Sequence, residues 1–210
     1  MTFYNDDTFL NTIKELSIRD TDISDHLEAI YINSLKLNPK LIIELGVREG
    51  QSSRVFNFVN KKLNSRVIGI DIDYCDYSYV YNGSFYRIDD IEFGKNYSSY
   101  VNSPIDILFI DTSHLYDHTK KEIDTFFPLL SNKALVIFHD TNLKDTYLHK
   151  NGNTGIGWNN ERGVTRAIEE YFNISVNENE HYVLNVQKNH DNWKLEHDPI
   201  CNGLTLCWKN

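Results

Sequence analysis

The stretch Leu41–Ser53, LIIELGVREGQSS, decides the fold. Leu41-Ile42-Ile43 is a short apolar run of the kind a strand shows when both of its faces are buried. Glu44 ends it. Gly46 and Gly50 follow, then Ser52 and Ser53, then Val55, Phe56 and Val59 at helical spacing. Strand, glycine turn and helix together open a nucleotide-binding βαβ unit. Glycines let the backbone pass close beneath a ligand. Ser52 or Ser53 can cap the helix, whose free N–H groups attract an anionic group. The spacing is G-x-x-x-G, with Val47, Arg48 and Glu49 between. A dinucleotide fingerprint needs G-x-G-x-x-G, its middle glycine making room for a pyrophosphate. A ligand without a pyrophosphate fits this turn better.

Upstream, Phe9, Leu10, Ile13 and Leu16 give a helix over 6–18, which Asp6 or Asp7 can cap. A second helix fits 24–36, with Ser24 as its cap, and Asn38-Pro39 stops it. These helices cover either the ligand mouth or a sheet face. Downstream, RVIGI (66–70) reads as strand two and ends in Asp71-Ile72-Asp73. An acid about 20 residues past the glycine turn is placed to hold a ribose hydroxyl pair, and Asp71 sits at the strand end. The tyrosine-rich stretch 75–81 fits a helix or an irregular segment near the ligand. SFYRI (84–88) is strand three, followed by Asp89-Asp90.

Residues 104–110 are strand four, running into Asp111-Thr112-Ser113-His114. An amphipathic helix over 120–130 follows, with Asn132 as a left-handed cap. ALVIF (134–138) is strand five, ending in His139-Asp140. Residues 143–161, polar and carrying Gly152, Gly155, Gly157 and Trp158, read as a substrate lid loop. A helix opens at Arg162-Gly163-Val164. Residues 181–186 and 204–208 form the last two strands, with 187–203 as an irregular loop between them and Trp193 as a packing anchor or a partner contact.

Glu44, Asp71, Asp111, His139 and Asp140 thus all fall at carboxyl ends of strands, where an open parallel sheet binds its ligands. Burying carboxylates together is costly unless a cation or donors satisfy them. Asp111 and Asp140 can therefore hold a divalent metal; oxygen ligands suit Mg²⁺ or Ca²⁺, and an imidazole from His139 favours Mn²⁺, Fe²⁺ or Zn²⁺. His114 and His139 are the candidate bases. His118, His149, His181, His190 and His197 have no motif context and read as surface residues.

The 210 residues suffice for one domain with a full core. Hydrophobic residues make up 40% and charged residues 24%, with a net charge of −9. Such a chain, lacking a Lys/Arg run, is a poor nucleic-acid binder. No apolar run approaches the roughly 18 residues of a membrane span, and the N-terminus lacks a signal-peptide pattern. Cys75, Cys201 and Cys207 lack a C-x-x-C pair, which points to free thiols and a cytoplasmic setting.

E-x-G-x-x-x-G resembles motif I of the class I S-adenosylmethionine-dependent methyltransferases. F-I-D-x-x-H-x-Y, then P-L-L and V-I-F-H-D, resembles the small O-methyltransferase family that includes macrolide-sugar and cephalosporin-pathway enzymes; catechol-type enzymes are more distant. The resemblance covers roughly 40–172. It departs at Asn132-Lys133-Ala134, where Gly-Gly is usual, and beside Asp140, where His139 and Thr141 replace a common second acid or Asn. It implies a Rossmann-like α/β domain with a seven-stranded, mostly parallel sheet, an antiparallel last strand and helices on both faces; the two helices read upstream make 1–38 a helical cover. It implies a cofactor loop at Glu44, Gly46 and Gly50, a ribose acid at Asp71, and metal ligands at Asp111 and Asp140. An acid of the Asp89-Asp90 pair would face the adenine amino group.

The expected cofactor surface is thus Glu44, Gly46, Gly50, Ser52, Ser53, Asp71, Asp89, Asp90 and Asp111. The expected metal ligands are Asp111, His139 and Asp140, and the catalytic groups His114, His139 and Asp111. The expected reaction is methyl transfer from S-adenosylmethionine to a hydroxyl of a small sugar, polyol or phenol, with Mg²⁺ or another divalent metal assisting. Homo-oligomer formation stays open. Three alternatives compete: a metal-free enzyme acting on nitrogen or a macromolecule, a nicotinamide-dependent oxidoreductase, and a non-catalytic cofactor- or partner-binding module.

Overall fold

The computed structural model describes residues 6–76, 84–157 and 160–210. Most of the tyrosine-rich stretch 75–81, and Trp158, lie outside them, as do the side chains of Asp6 and Asp7. Five strands pair in parallel in the order β3 (Phe85–Arg87), β2 (Arg66–Asp71), β1 (Leu41–Leu45), β4 (Ile105–Ile110) and β5 (Leu130–His139). The chain order reverses between β1 and β4, so a crevice opens at their carboxyl ends. Antiparallel strands β10 (Leu204–Lys209), β9 (Asp191–Asp198) and β8 (Tyr182–Lys188) extend the sheet beyond β5.

Alternation along each strand sends side chains to two apolar layers. Ile42, Val67, Ile107, Phe109, Leu135 and Ile137 pack with the helices α1 (Asp6–Ser17), α2 (Leu27–Leu37) and α3 (Gln51–Leu63). Leu41, Ile43, Ile68, Leu108 and Val136 pack on the other face. The helices there are α4 (Asp90–Lys95), α5 (Tyr97–Tyr100), α6 (Tyr116–Phe126) and α7 (Gly163–Phe172). Among the described residues, no helix is long and apolar enough to cross a membrane.

Four details differ from the reading of the sequence. The main sheet has eight strands, because 191–198 forms a strand where a loop was expected. Asn189 and His190, both at positive φ, make a two-residue hairpin turn, and Trp193, Leu195 and His197 then alternate inward. Trp193 stacks on Phe127 and is a packing anchor. Asn132 lies inside β5 and caps nothing; the helix before it ends at Phe126 and tightens into a 3-10 turn. Ser24 does not cap α2: it opens a 3-10 turn and donates back to the Arg19 carbonyl. The region 143–161 carries a small hairpin, β6 (Thr146–Leu148) with β7 (Thr154–Ile156).

Candidate active site

The turn after β1 is built from its own residues before any ligand is considered. Glu44 is fully buried and faces α3, where Ser52 and Ser53 both donate to its carboxyl. Neither serine caps the helix: Gly50, left-handed at φ 70°, occupies the cap position, and no side chain bonds there. Burial drives Glu44 up to about 8 against the pull of the two serine hydroxyls. The folded chain therefore keeps a proton that the unfolded chain releases near its ordinary value of 4.5. The folded state binds more protons across that window, so stability is full below pH 4.5 and falls as pH rises towards about 8. Glu44→Gln is expected to flatten that fall, raising stability at neutral pH by several kcal/mol at most. Denaturant melts between about pH 5 and about pH 8 read the slope directly, and an unchanged slope would assign the pH dependence elsewhere.

Asp71 also serves the turn. Its Oδ2 accepts the N–H groups of Val47 at 2.9 Å and Arg48 at 3.0 Å, and its Oδ1 accepts that of Asp73. One oxygen thus retains spare acceptor capacity towards a cavity of about 290 Å³ that Gly46, Ile70, Asp71, Ile72, Ile88, Asp90, Asp111 and His118 help to line. Asp89 also lines this cavity, and its Oδ1 caps α4 by accepting the Glu92 N–H. Asp90 is buried and accepts from His118 Nε2 at 3.1 Å, beside a fully buried Glu122. Burial, then the neighbouring Asp90, holds the Glu122 carboxyl well above its usual range. His118 is therefore a wall of this cavity and not a free surface residue. Its i,i+4 spacing to Glu122 on α6 was the trace left in the sequence.

The ends of β4 and β5 bring together Asp111, His114, His139 and Asp140. His114 Nε2 lies 2.7 Å from Asp140 Oδ2 and 3.4 Å from Asp111 Oδ1. His139 Nδ1 lies 3.3 Å from both of those oxygens. Its Nε2 is 3.1 Å from the Asp22 carbonyl, which only accepts, so Nε2 carries the N–H. Burial alone would lower His114, but the bonds to Asp111 and Asp140 outweigh it and raise it to about 10. His139 is likewise held well above its ordinary value, burial being overcome by the charges of Asp140 and Asp111. Both aspartates are held low despite burial, chiefly by the charge on His139. His114 and Asp140 adopt φ of 58° and 55°, costing roughly 1–2 kcal/mol each.

This cluster fits a divalent metal. Asp111, His139 and Asp140 offer two carboxylate oxygens and an imidazole nitrogen within 4.8 Å of one another. Asp140 Oδ1 is buried with no hydrogen-bond partner among the described residues. The Nε2–H tie of His139 to a carbonyl is the second contact a metal-binding imidazole makes. Asp90, His118 and Glu122 form another such group beside the 290 Å³ cavity.

A larger cavity, about 530 Å³, opens on the other side of the glycine turn. Asp20, Asp22 and Asp25 line it from the α1–α2 link, Arg48 and Glu49 from the turn, and Lys144 and Thr146 to Lys150 from the β6 region. Lys150 bridges to the Ser17 and Arg19 carbonyls and to Asp25. The N-terminal helices thus cover a sheet face while their link reaches the mouth. His149, expected on the surface, lines this cavity, and His197 is buried between Thr205 and the Glu178 carbonyl. Arg48 borders both of these cavities, and with Asp111 it lines a small opening of about 40 Å³ that shares residues with each.

Residues 43–141 match the family described as a methyltransferase domain. An uncharacterized protein of Sinorhizobium fredii, y4gI, is 25% identical over 135 residues, 52% of this chain, and the match spans 14% of that protein's length. An O-methyltransferase from Bacillus cereus, solved in complex with SAH, superimposes with a TM-score of 0.58 at 11% identity, over 100% of this chain and 94% of that one. The SAH-bound methyltransferase PaMTH1 of Podospora anserina gives 0.55 at 12% identity, over 100% of this chain and 99% of that one. Over residues 43–141 the chain thus matches a methyltransferase-domain family, and it has the fold of these two methyltransferases.

Proposed function

We propose that this protein transfers the methyl group of S-adenosylmethionine to a hydroxyl oxygen of a small polar molecule, a sugar or polyol in preference to a phenol. The observation that carries the reading is the position of Asp111. It borders the cavity under Gly46 and Asp71, and also the opening towards the second, larger cavity. A cofactor in the first and an acceptor in the second would meet at the strand-end cluster. The larger cavity is lined mainly by charged and amide side chains, with Tyr147, Leu148 and Pro199 among its few large apolar groups. Polar hydroxyls find partners there, and a planar apolar ring finds few.

The sulfonium methyl is already activated, so the chain must align the reactants, exclude water and move one proton. Asp71 and the turn it braces hold the adenosine end, and the β6–β7 region with the α1–α2 link encloses the acceptor. Asp111, His139 and Asp140 would hold a divalent metal, which would supply the positive charge that lowers the pKa of the acceptor hydroxyl. His139 is tied through Nε2 to Asp22 and cannot turn to an acceptor. His114 Nε2, 2.7 Å from Asp140 Oδ2, is the group placed to take the acceptor's proton when it enters the reaction neutral.

Thermal melts with S-adenosylhomocysteine, with and without Mn²⁺, test this. A ligand at a hundred times its Kd adds about 2.7 kcal/mol, which for a chain of this size is a shift of roughly 5–10 °C. The expected result is such a shift with S-adenosylhomocysteine, and a further Mn²⁺-dependent one that Asp140→Asn removes. No shift with S-adenosylhomocysteine would sink the reading.

A further inference from the structure

The link between α1 and α2 places one residue in contact with both halves of the site. The backbone carbonyl of Asp22 takes His139 Nε2 at 3.1 Å and the Cys201 thiol at 3.0 Å. The Asp22 carboxylate pairs with Arg48 Nη1 at 2.8 Å. Arg48 lies in the glycine turn, at φ 43°, with its own N–H on Asp71.

We propose that Asp22 is a positioning residue for methyl transfer: its carbonyl fixes the ring edge that His139 presents to Asp111 and Asp140, and its carboxylate ties that carbonyl to the cofactor turn through Arg48. This rests on the methyl-transfer reading, which makes His139 a metal ligand and 46–50 a cofactor turn.

The ring of His139 is fully enclosed, and its Nε2–H must find an acceptor. The neighbouring imidazole of His26 is not that acceptor. It stands edge-on at 5.9 Å between ring centroids, and its Nε2 is spent on the Ile200 and Cys201 carbonyls. The Asp22 carbonyl is a fixed target, because the link is braced by Ser24 Oγ on Arg19 and by Lys150 on Ser17, Arg19 and Asp25. The Arg48–Asp22 pair is largely exposed, so it contributes little alone. Its place is to couple, while the carbonyl does the holding.

The test weakens that carbonyl and leaves every side chain unchanged. Incorporating the α-hydroxy analogue of isoleucine at position 23 turns the 22–23 amide into an ester, whose carbonyl is a poorer acceptor. Three quantities are read: the ring ¹⁵N signals of His139 (assigned by their loss in His139→Gln), Mn²⁺ affinity by electron paramagnetic resonance, and S-adenosylhomocysteine affinity by calorimetry. In the ester protein the Nε2 signal is expected to move towards that of an unbonded N–H. Mn²⁺ affinity is expected to fall about 10–100-fold, as when a second contact of a metal ligand is lost. S-adenosylhomocysteine affinity changes far less. Arg48→Ala gives a smaller fall in Mn²⁺ affinity, and Arg48→Lys, which keeps the charge, stays near wild type. Unchanged ring signals and Mn²⁺ affinity in the ester protein would overturn the proposal. If the unaltered protein takes up no Mn²⁺, the metal part of the functional reading fails, and the ring signals alone decide whether Asp22 positions His139.

Discussion

Gly46→Ala is expected to destabilise the chain by about 3 kcal/mol or more and to abolish stabilisation by S-adenosylhomocysteine. Gly46 adopts φ +85°, and a Cβ there would stand 1.9 Å from the Asp111 carbonyl oxygen and 2.7 Å from its carbon. These are backbone atoms with no rotamer to adopt. The same place is a seam between strand ends: the Gly46 N–H donates to the Ile70 carbonyl, and the Asp111 N–H donates to that of Leu45, each at 2.9 Å. A methyl group can enter only if the ends of β1 and β4 part, which carries Asp111 away from His114 and His139. Overpacking costs about 1–3 kcal/mol and the positive φ about 1–2. For a chain of 210 residues the melting temperature should fall by roughly 6–12 °C. Gly152→Ala is the control. Its φ is +87°, yet nothing lies within 4 Å of the added Cβ, so only the backbone term remains. If the two variants melt together and both still respond to S-adenosylhomocysteine, close approach at Gly46 is not what the turn requires.

The parallel half of the fold was legible because its cues are local. Apolar runs at 41–43, 66–70, 105–110 and 134–138 end in acids or imidazoles, and the glycine spacing marks the turn. These cues placed Asp111, His114, His139 and Asp140 together at the strand ends, where the structure brings them into contact. Strand β9 was missed because only Trp193 and Leu195 mark its inward face, the third inward position being the polar His197, and because its turn, Asn189-His190, lacks glycine. The serines were misread for a different reason. Ser52 and Ser53 suit a helix cap on local grounds, but a buried Glu44 eight and nine residues earlier needs donors more. Asp22 could not be read at all: the bond from His139 to its carbonyl spans 117 residues and involves no side chain of Asp22.

Asp140→Asn and Asp140→Ala are expected to separate charge from backbone strain at the same position. Asn tolerates the left-handed φ of 55° and keeps the side-chain volume, so Asp140→Asn should fold near normally. It leaves two imidazoles with one carboxylate, and methyl transfer should fall by at least about 100-fold, the loss of several kcal/mol of charge stabilisation. Alanine adds the strain and empties a buried site, leaving the charges on His114 and His139 under-compensated; breaking such a pair costs about 3–5 kcal/mol. The pH dependence gives a second reading. His114 is raised to about 10, so its contribution is full below its ordinary 6.5 and is lost as pH rises through about 10. Asp140 is held low, so its contribution is present above its ordinary 3.8 and is lost on strong acidification. In Asp140→Asn one of the two carboxylates that raise His114 is neutral, so the alkaline loss should begin at lower pH and be smaller in total. Melting curves across the alkaline range measure this without substrate or metal. If Asp140→Asn keeps the wild-type alkaline profile, the charge that raises His114 comes from Asp111 alone, and Asp140 serves the site only through the atoms it offers to a metal.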